Sequence, residues 1–204
     1  PLLQAADVLA YQADEVPVGE DQRQHIELMR EVARRFNERF GETFTIPEHR
    51  IPEIGARVMD LQEPGRKMST SVGFDSGRVY LLETEKETRK KLGSAVTDSG
   101  REVKRGEGKE GVANLIGIYA VATGKTEDEV EAEFEGAGYG DFKKAVADAV
   151  VEFLAPVREA YPAIREDEGE IERILADGAA KAREIASVTL ADVREAMGVG
   201  VPRG

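Results

Sequence analysis

The interpretation of this chain starts from the stretch Pro64-Gly65-Arg66-Lys67-Met68-Ser69-Thr70-Ser71-Val72-Gly73, called the phosphate loop below. Glycines flank a run of cationic and hydroxyl side chains, and the Pro-Gly pair in front is a turn signal. In such loops, backbone N–H groups and ammonium groups converge on phosphate oxygens. The stretch therefore indicates an anion-binding loop, and a solvated surface turn is the alternative.

Composition limits the classes of protein that this chain can belong to. Its 204 residues, 41% of them hydrophobic and 33% charged, are typical of a folded globular protein. The absence of cysteine excludes disulfides and thiolate chemistry, and two histidines make a histidine-based metal cluster improbable, so we predict no metal site. No apolar run is long enough to span a membrane and no signal peptide is recognised, so we predict a cytoplasmic protein.

The charge is unevenly distributed along the chain. A net charge of −12 argues against indiscriminate binding to nucleic acid, and we predict no DNA partner. Residues 76–110, directly after the phosphate loop, nevertheless carry more cations than acids. The cations there include Lys86, Arg89, Lys90, Lys91, Arg101, Lys104, Arg105 and Lys109. Ion pairs on helix faces can explain each of them, but a polyanion would also be expected to bind there.

The first segment, residues 2–13, is predicted to be a short helix because good helix formers dominate it. An apolar stripe runs along it, formed by Leu3, Ala6, Ala10 and Tyr11. Asp7 lies on this stripe, and burying its carboxylate is costly unless a donor satisfies it. We therefore expect Asp7 either to meet water at a helix end or to accept a hydrogen bond from a ligand, with Gln4 one turn away.

A strand, a glycine and a helix follow in that order. Residues 15–19 predict a short strand, which Pro17 restricts to a sheet edge or a strand end. The helix opens at Glu20 and keeps apolar residues at helical spacing as far as Phe40. Doubly wound α/β proteins bind ligands at such a junction. Glu20 and Asp21 are acids that suit the positive N-terminal end of the helix dipole, and Asp21 could also bind ribose hydroxyls.

These stretches resemble a known family. Lys67-Met68-Ser69-x-Ser71 resembles the second signature of class I aminoacyl-tRNA synthetases, a loop that grips the triphosphate of ATP. Residues 16–28 resemble the corresponding segment of bacterial tryptophanyl-tRNA synthetases, as do residues 3–7, 55–59 and 95–99. A tyrosyl enzyme would be expected to carry Gly-Ser-Asp-Gln where this chain has Gly19-Glu20-Asp21-Gln22, which favours tryptophan.

The resemblance implies a role for each matching residue. Asp7 would accept the indole N–H, and the amino-acid pocket would be lined by Gln4, Val16, Val18 and Gln22. Asp21 and Gln22 would lie at the ribose and at the junction of the two substrates. ATP, carried with Mg²⁺, would further meet Val58, Lys67, Met68, Ser69, Thr70 and Ser71, and the catalytic groups would be Lys67, Ser69 and Ser71.

Two departures from the family pattern matter. Thr70 stands where the loop usually has a second lysine, so Lys67 and Arg66 would carry more of the charge stabilisation. The first family signature, His-x-Gly-His, is absent. The chain therefore resembles the C-terminal three-fifths of such an enzyme, and we expect its ATP site to be incomplete.

Downstream of the loop, the pattern is largely helical. Residues 79–82 predict a short strand, and Thr84 with Glu87 forms a capping box for a helix reaching about Val96. Residues 98–111 predict a mobile surface loop, followed by an apolar helix over 112–123 that ends at Gly124. Thr126 with Glu129 predicts a second capping box. A helix bent at Pro156 is predicted over 142–161, and a last long helix over 171–193. Upstream of the loop, a brief apolar strand is predicted over 56–61.

Together these features predict an α/β chain that combines the C-terminal part of a Rossmann-like class I synthetase catalytic domain with an α-helical anticodon-binding bundle. Residues 1–75 would belong to the catalytic domain and residues 76–165 to the anticodon-binding bundle. Residues 166–204 would form a helix that packs back on the catalytic domain.

The predicted function is a tryptophan–tRNA ligase that acts on tryptophan, ATP and tRNA(Trp), forms a homodimer and has no membrane partner. Two alternatives stay open. The first is a non-catalytic fragment that binds tRNA or dimerises, and the second is a tyrosyl-tRNA synthetase relative.

Overall fold

The structure is a computed structural model that describes residues 1–52, 55 and 57–200. Its strands are β1 (Glu15–Pro17) and β2 (Glu48–Arg50), and its helices are α1 (Leu2–Leu9), α2 (Arg23–Phe40), α3 (Glu85–Gly93), α4 (Glu110–Thr123), α5 (Glu127–Glu133), α6 (Tyr139–Glu166) and α7 (Glu168–Ala196). The chain divides into two units. Unit 1 comprises Pro1–Pro52 and Asp167–Gly204, and unit 2 comprises Glu53–Glu166. The first division lies upstream of the phosphate loop, whereas the sequence placed a boundary after residue 75.

Unit 1 contains a β-α-β arrangement. Strands β1 and β2 pair in parallel, with Val16 opposite His49, and α2 forms the connection that parallel strands require. The predicted strand, glycine and helix are confirmed, although a short 3₁₀ turn over Glu20–Gln22 precedes α2. Strand β2 was not predicted, because Glu48-His49-Arg50 contains no apolar residue to indicate a strand.

The core of unit 1 lies between α1 and α2. Ala5 and Leu9 of α1 pack with Ile26, Met29 and Ala33 of α2. The predicted stripe through Leu3 and Ala6 is not the face that α1 buries, and the Leu3 side chain is 77% exposed. Helix α7 is mostly exposed, with Thr189 as its buried residue.

Unit 2 is organised around a larger core shared by α3, α4, α5 and α6. Phe142 is fully buried, and the centroid of its ring lies 4.9 Å from that of Phe134 and 6.3 Å from that of Tyr119. Arg158 of α6 fastens the start of α3, since its guanidinium donates to the Leu81 carbonyl at 2.8 Å and to Thr88 Oγ1 at 2.9 Å. The predicted strand over 79–82 is wrong, because Leu81 and Leu82 form a turn and the Leu81 carbonyl bonds to a side chain instead of a strand.

Both predicted capping boxes are present. The Thr84 side chain accepts the Glu87 N–H while the Glu87 side chain accepts the Thr84 N–H, and Thr126 and Glu129 repeat the arrangement. Helix α3 ends at Gly93, three residues before the predicted Val96. Helix α4 ends as predicted at Gly124, which adopts a left-handed conformation with φ of 72°. Helix α6 continues through Pro156 and Pro162.

The segment between α3 and α4 contains several of the cations noted in the sequence. The Arg105 guanidinium pairs with Glu127, Asp128 and Glu131 of α5, which raises the pKa of Arg105. Tyr139 donates to Asp98 at 2.7 Å and thereby lowers the pKa of that carboxyl. Arg89, which lies in α3 just before this segment, pairs with Asp148. For Arg89 and Arg105, ion pairing within the protein therefore accounts for the charge.

Over the ranges that the structure describes, none of the helices combines the length and the apolar character needed to cross a bilayer.

Candidate functional site

The phosphate loop of unit 2 begins on a short antiparallel contact. Met59 pairs with Lys67, the Met68 N–H donates to the Val58 carbonyl at 3.0 Å, and the Asp60 N–H donates to the Arg66 carbonyl at 2.8 Å. Val58 and Met68, two of the residues that the resemblance places at ATP, are therefore directly bonded through their backbones. Of the strand predicted over 56–61, Ala56 lies outside the described residues, and Met59 forms this single bridge.

A cavity of 360 Å³ lies beside this contact, entirely within unit 2. It is lined by Gly55, Arg57, Val58, Lys67, Met68, Ser69, Thr70, Arg78, Val79 and Tyr80. Five of the predicted nucleotide residues, Val58 and the run Lys67 to Thr70, therefore lie together. The lining combines apolar side chains, hydroxyls and three cations, a composition suited to a base joined to a phosphate chain.

The hydroxyl groups of the loop lie close to one another. Ser69 Oγ is 3.1 Å from Ser71 Oγ and accepts the Ser71 N–H at 3.3 Å. Arg66 was expected to support Lys67, but its guanidinium is directed towards two acids of unit 2. Its nitrogens lie 3.0 Å from the Glu63 carboxylate and 3.9 Å from the carboxylate of the buried Asp60. Arg57 and Arg78 are the cations that share the cavity lining with Lys67.

Sequence reasoning missed Arg57, Arg78 and Tyr80. The Tyr80 ring is close to two cations, with the Arg78 guanidinium 5.8 Å and the Lys91 ammonium 4.8 Å from its centroid. Burial acts to lower the pKa of Lys91, but bonds to Glu83 at 2.6 Å and Asp75 at 3.2 Å outweigh it and raise that pKa. Arg78 and Tyr80 belong to no recognised motif, and Arg57 lies in residues 55–59, whose resemblance to the family assigned it no role.

The wall of the cavity is attached to the core of unit 2. Asn114 of α4 donates to the Met59 carbonyl at 2.8 Å and accepts the Met59 N–H at 2.9 Å, as a neighbouring strand would. The buried Asp60 carboxylate accepts the N–H groups of Gln62 and Glu63 at 2.8 and 3.0 Å. These bonds hold Met59 and residues 60–63 in place without a sheet.

In unit 1, the predicted ribose residues form a chain of contacts at the start of α2. Gln22 Nε2 donates to Asp21 Oδ2 at 2.9 Å, and Gln22 Oε1 lies 2.9 Å from His25 Nδ1. Gln22 is thus oriented by its contacts with both Asp21 and His25. Asp21 is exposed, which leaves its carboxylate accessible to a hydroxyl-bearing ligand.

The predicted tryptophan residues of unit 1 are more open. Val16 and Val18 are half-buried and pack against the α1–α2 core, and Gln4 is also half-buried. Asp7 is exposed on the side of α1 that faces away from this core. Among the described residues, no group of three or more His, Cys, Asp or Glu side chains could hold a metal ion.

Comparisons with known proteins agree with the resemblance. The family described as "tRNA synthetases class I (W and Y)" matches residues 1–155. A tryptophan–tRNA ligase of Wolinella succinogenes is 49% identical over 199 residues, which cover 98% of this chain and 61% of that ligase. One of Bacillus subtilis is 47% identical over 100% of this chain and 62% of that ligase. The chain thus spans about three-fifths of the length of the curated relatives it matches.

Solved structures give the same result. The tryptophanyl-tRNA synthetase of Mycoplasma pneumoniae matches with a TM-score of 0.89 and 31% identity, over 97% of this chain and 60% of that one. The enzyme of Campylobacter jejuni, solved with ADP and tryptophan, matches with a TM-score of 0.66 and 34% identity, over 98% of this chain and 61% of that one. These matches confirm the predicted α/β class I synthetase fold with its helical part. The chain belongs to the class I tRNA synthetases of the tryptophan and tyrosine type.

Proposed function

We propose that this chain is part of a tryptophan–tRNA ligase and supplies its phosphate loop and part of its tryptophan side. The observation that carries the proposal is the 360 Å³ cavity, because residues selected from sequence alone line it together with three cations. The similarity to ligases at 46–49% identity and to a synthetase solved with ADP and tryptophan supports the choice of substrates.

The reaction would proceed in two steps. The tryptophan carboxylate attacks the α-phosphate of ATP and pyrophosphate leaves. A hydroxyl at the 3′ end of tRNA(Trp) then takes the tryptophanyl group from the adenylate, and AMP leaves. Neither step needs a covalent bond to the protein, so this chain would act by positioning and by stabilising charge. Mg²⁺ would arrive on the triphosphate, as it commonly does at nucleotide sites.

Each predicted residue has a task in this scheme. Val58 and Met68 would form the adenine shelf, while Lys67, Ser69, Thr70 and Ser71 grip the phosphates, with Lys67, Ser69 and Ser71 as the catalytic groups. In unit 1, Asp21 would bind the ribose, with Gln22 at the junction, and Asp7 the indole N–H, with Gln4, Val16 and Val18 around the side chain. Thr70 adds one hydrogen-bond donor and no charge, and Arg57 in the same cavity offers the positive charge that a second lysine would supply.

The decisive experiment replaces Lys67. Lys67→Ala should slow ATP–pyrophosphate exchange at least about tenfold, since losing one charged contact to a transition state typically costs about 3–4 kcal/mol. Tryptophan affinity should be nearly unchanged. Lys86→Ala is the matched control, because Lys86 is an exposed cation of α3 outside the cavity lining. Equal exchange rates for the Lys67 variant and the parent would remove Lys67 from this role.

The alternative functions remain distinct proposals. Because the chain spans about 60% of its relatives, a non-catalytic piece that binds tRNA or dimerises is the main rival. A gel shift with tRNA in the absence of pyrophosphate exchange would support it, and sedimentation would test the proposed homodimer. A tyrosyl relative would prefer tyrosine in calorimetry.

We also propose that residues 76–165 meet the anticodon, that residues 166–204 pack on the catalytic domain and that the protein is cytoplasmic.

A further inference from the structure

Arg78 makes an unusual set of contacts with the phosphate loop. Its Nη1 donates to the carbonyls of Ser69 at 3.0 Å and Thr70 at 2.6 Å, and its Nη2 donates to the Gly73 carbonyl at 2.7 Å. Its Nε reaches the Phe74 carbonyl at 3.4 Å. One guanidinium therefore collects carbonyl groups from both sides of the turn formed by residues 69–74.

We propose that Arg78 is a positioning residue that holds the phosphate loop in the shape needed to bind the triphosphate of a nucleotide. The proposal rests on the proposed function for the identity of the ligand. It assigns to Arg78 a role that no sequence motif indicated.

Donor counting distinguishes this role from a direct grip on phosphate. A guanidinium has five N–H donors, and these four bonds occupy most of them. Arg78 thus spends its hydrogen bonds on the loop, although its charge still contributes to the cavity that it lines. The proposed function assigns the contacts with the ligand to Lys67 and the loop hydroxyls.

The bonds to Arg78 also orient the loop amides. In a trans peptide, the carbonyl and the following N–H point in opposite directions. Because the Ser69 and Thr70 carbonyls turn towards Arg78, the N–H groups of Thr70 and Ser71 turn away from it, and the Ser71 N–H donates there to Ser69 Oγ at 3.3 Å. Backbone N–H groups presented on one side of a loop are the usual means of binding phosphate.

Arg78 itself is held by its surroundings. It is half-buried, and its guanidinium lies 5.8 Å from the centroid of the Tyr80 ring. The ammonium group of Lys91 in α3 lies 4.8 Å from the same ring centroid, and it is bonded to Glu83 at 2.6 Å. The loop is therefore braced against an element that packs in the core of unit 2. Without Arg78, the carbonyls of Ser69, Thr70 and Gly73 would lose the donor that they share.

Hydrogen exchange and ATP binding of the full 204-residue chain test the proposal together. Arg78→Met should speed amide exchange in residues 69–74 about tenfold or more, a factor that corresponds to about 1.4 kcal/mol. It should weaken ATP binding, measured by calorimetry, by a similar factor. Arg78→Lys should lie between parent and Arg78→Met, because an ammonium carries the charge but cannot reproduce the planar fork.

Two controls separate a local effect from general destabilisation. Exchange in the core part of α6, residues 142–154, should be the same in all variants. Arg89→Met removes another guanidinium of unit 2, one that pairs with Asp148 and makes none of the bonds described to the loop, and it should leave residues 69–74 unchanged.

The outcomes decide between the proposals. Unchanged exchange in residues 69–74 of Arg78→Met would overturn the positioning role, and so would faster exchange with unchanged ATP affinity. Loss of protection in α6 as well would also overturn it, since Arg78 would then support the whole unit. If the parent chain binds no ATP at millimolar concentration, the proposed nucleotide binding is overturned, and with it the part of the Arg78 proposal that names a triphosphate as the ligand. The exchange data would then still show separately whether Arg78 holds the loop.

Discussion

The predicted site residues are held differently in the two units. In unit 2, Val58 and the run Lys67 to Thr70 line a cavity whose wall Asn114 attaches to α4 within the core. In unit 1, Asp7 lies on the exposed side of α1, while the other side of that helix packs on α2. The difference is that the predicted site residues of unit 2 lie in a pocket supported by buried neighbours, whereas Asp7 of unit 1 has no such support in the described residues.

The two cores explain the contrast. The core of unit 2 joins four helices and includes the large side chains Phe142, Leu115 and Ile116, each almost completely buried. The core of unit 1 is smaller and joins α1 to α2, and Leu2 and Leu3 at the start of the chain are largely exposed. Since burial of apolar surface is the main favourable term in folding, we expect unit 2 to be the better stabilised.

The largest effect is expected from Phe142→Ala. Removing a fully buried phenylalanine from the cluster with Phe134 and Tyr119 should cost unit 2 about 3–5 kcal/mol, as seen for large cavities in cores. Phe153→Ala on the same helix is the control, because its ring is 53% exposed and its removal should cost less than about 1 kcal/mol. Denaturant unfolding of both variants would measure the difference, and equal losses would contradict the core assignment.

A smaller effect is expected at the support of the phosphate loop. A methyl group on Gly77 would overlap the buried Asp60 carboxylate, so Gly77→Ala should cost about 1–3 kcal/mol, as overpacking does. Gly65→Ala, in the loop itself, has open space at the same position and should be nearly neutral. Thermal unfolding measures both variants, and a neutral Gly77→Ala would show that Asp60 does not need its described position.

The smallest effect is expected on the exposed side of α1. Leu3→Ala should change stability by less than about 0.5 kcal/mol, because the Leu3 side chain is 77% exposed. Leu9→Ala, on the buried side of the same helix, should cost about 2–5 kcal/mol. If unfolding curves show Leu3→Ala to be as costly as Leu9→Ala, the two sides of α1 are not as different as the structure describes.

Local signals were sufficient for much of the fold. The two capping boxes were predicted correctly because each depends on residues three apart, Thr84 with Glu87 and Thr126 with Glu129. The strand predicted over 79–82 failed, since apolar residues favour a strand only when another strand can pair with them. Strand β2 was missed for the converse reason, because its pairing with β1 overrides a polar sequence.

For the site, the sequence by itself determined the phosphate loop and the hydroxyl and ammonium groups it carries, because these depend on a contiguous motif. Tertiary structure alone decided which cations share the cavity, turning Arg66 towards Glu63 and Asp60 and placing Arg57 and Arg78 beside Lys67. It also decided that Asn114, far along the chain, completes the backbone bonds of Met59. The physical reason is that hydrogen bonds and ion pairs form between groups that folding brings together, and their distance along the chain does not reveal those partners.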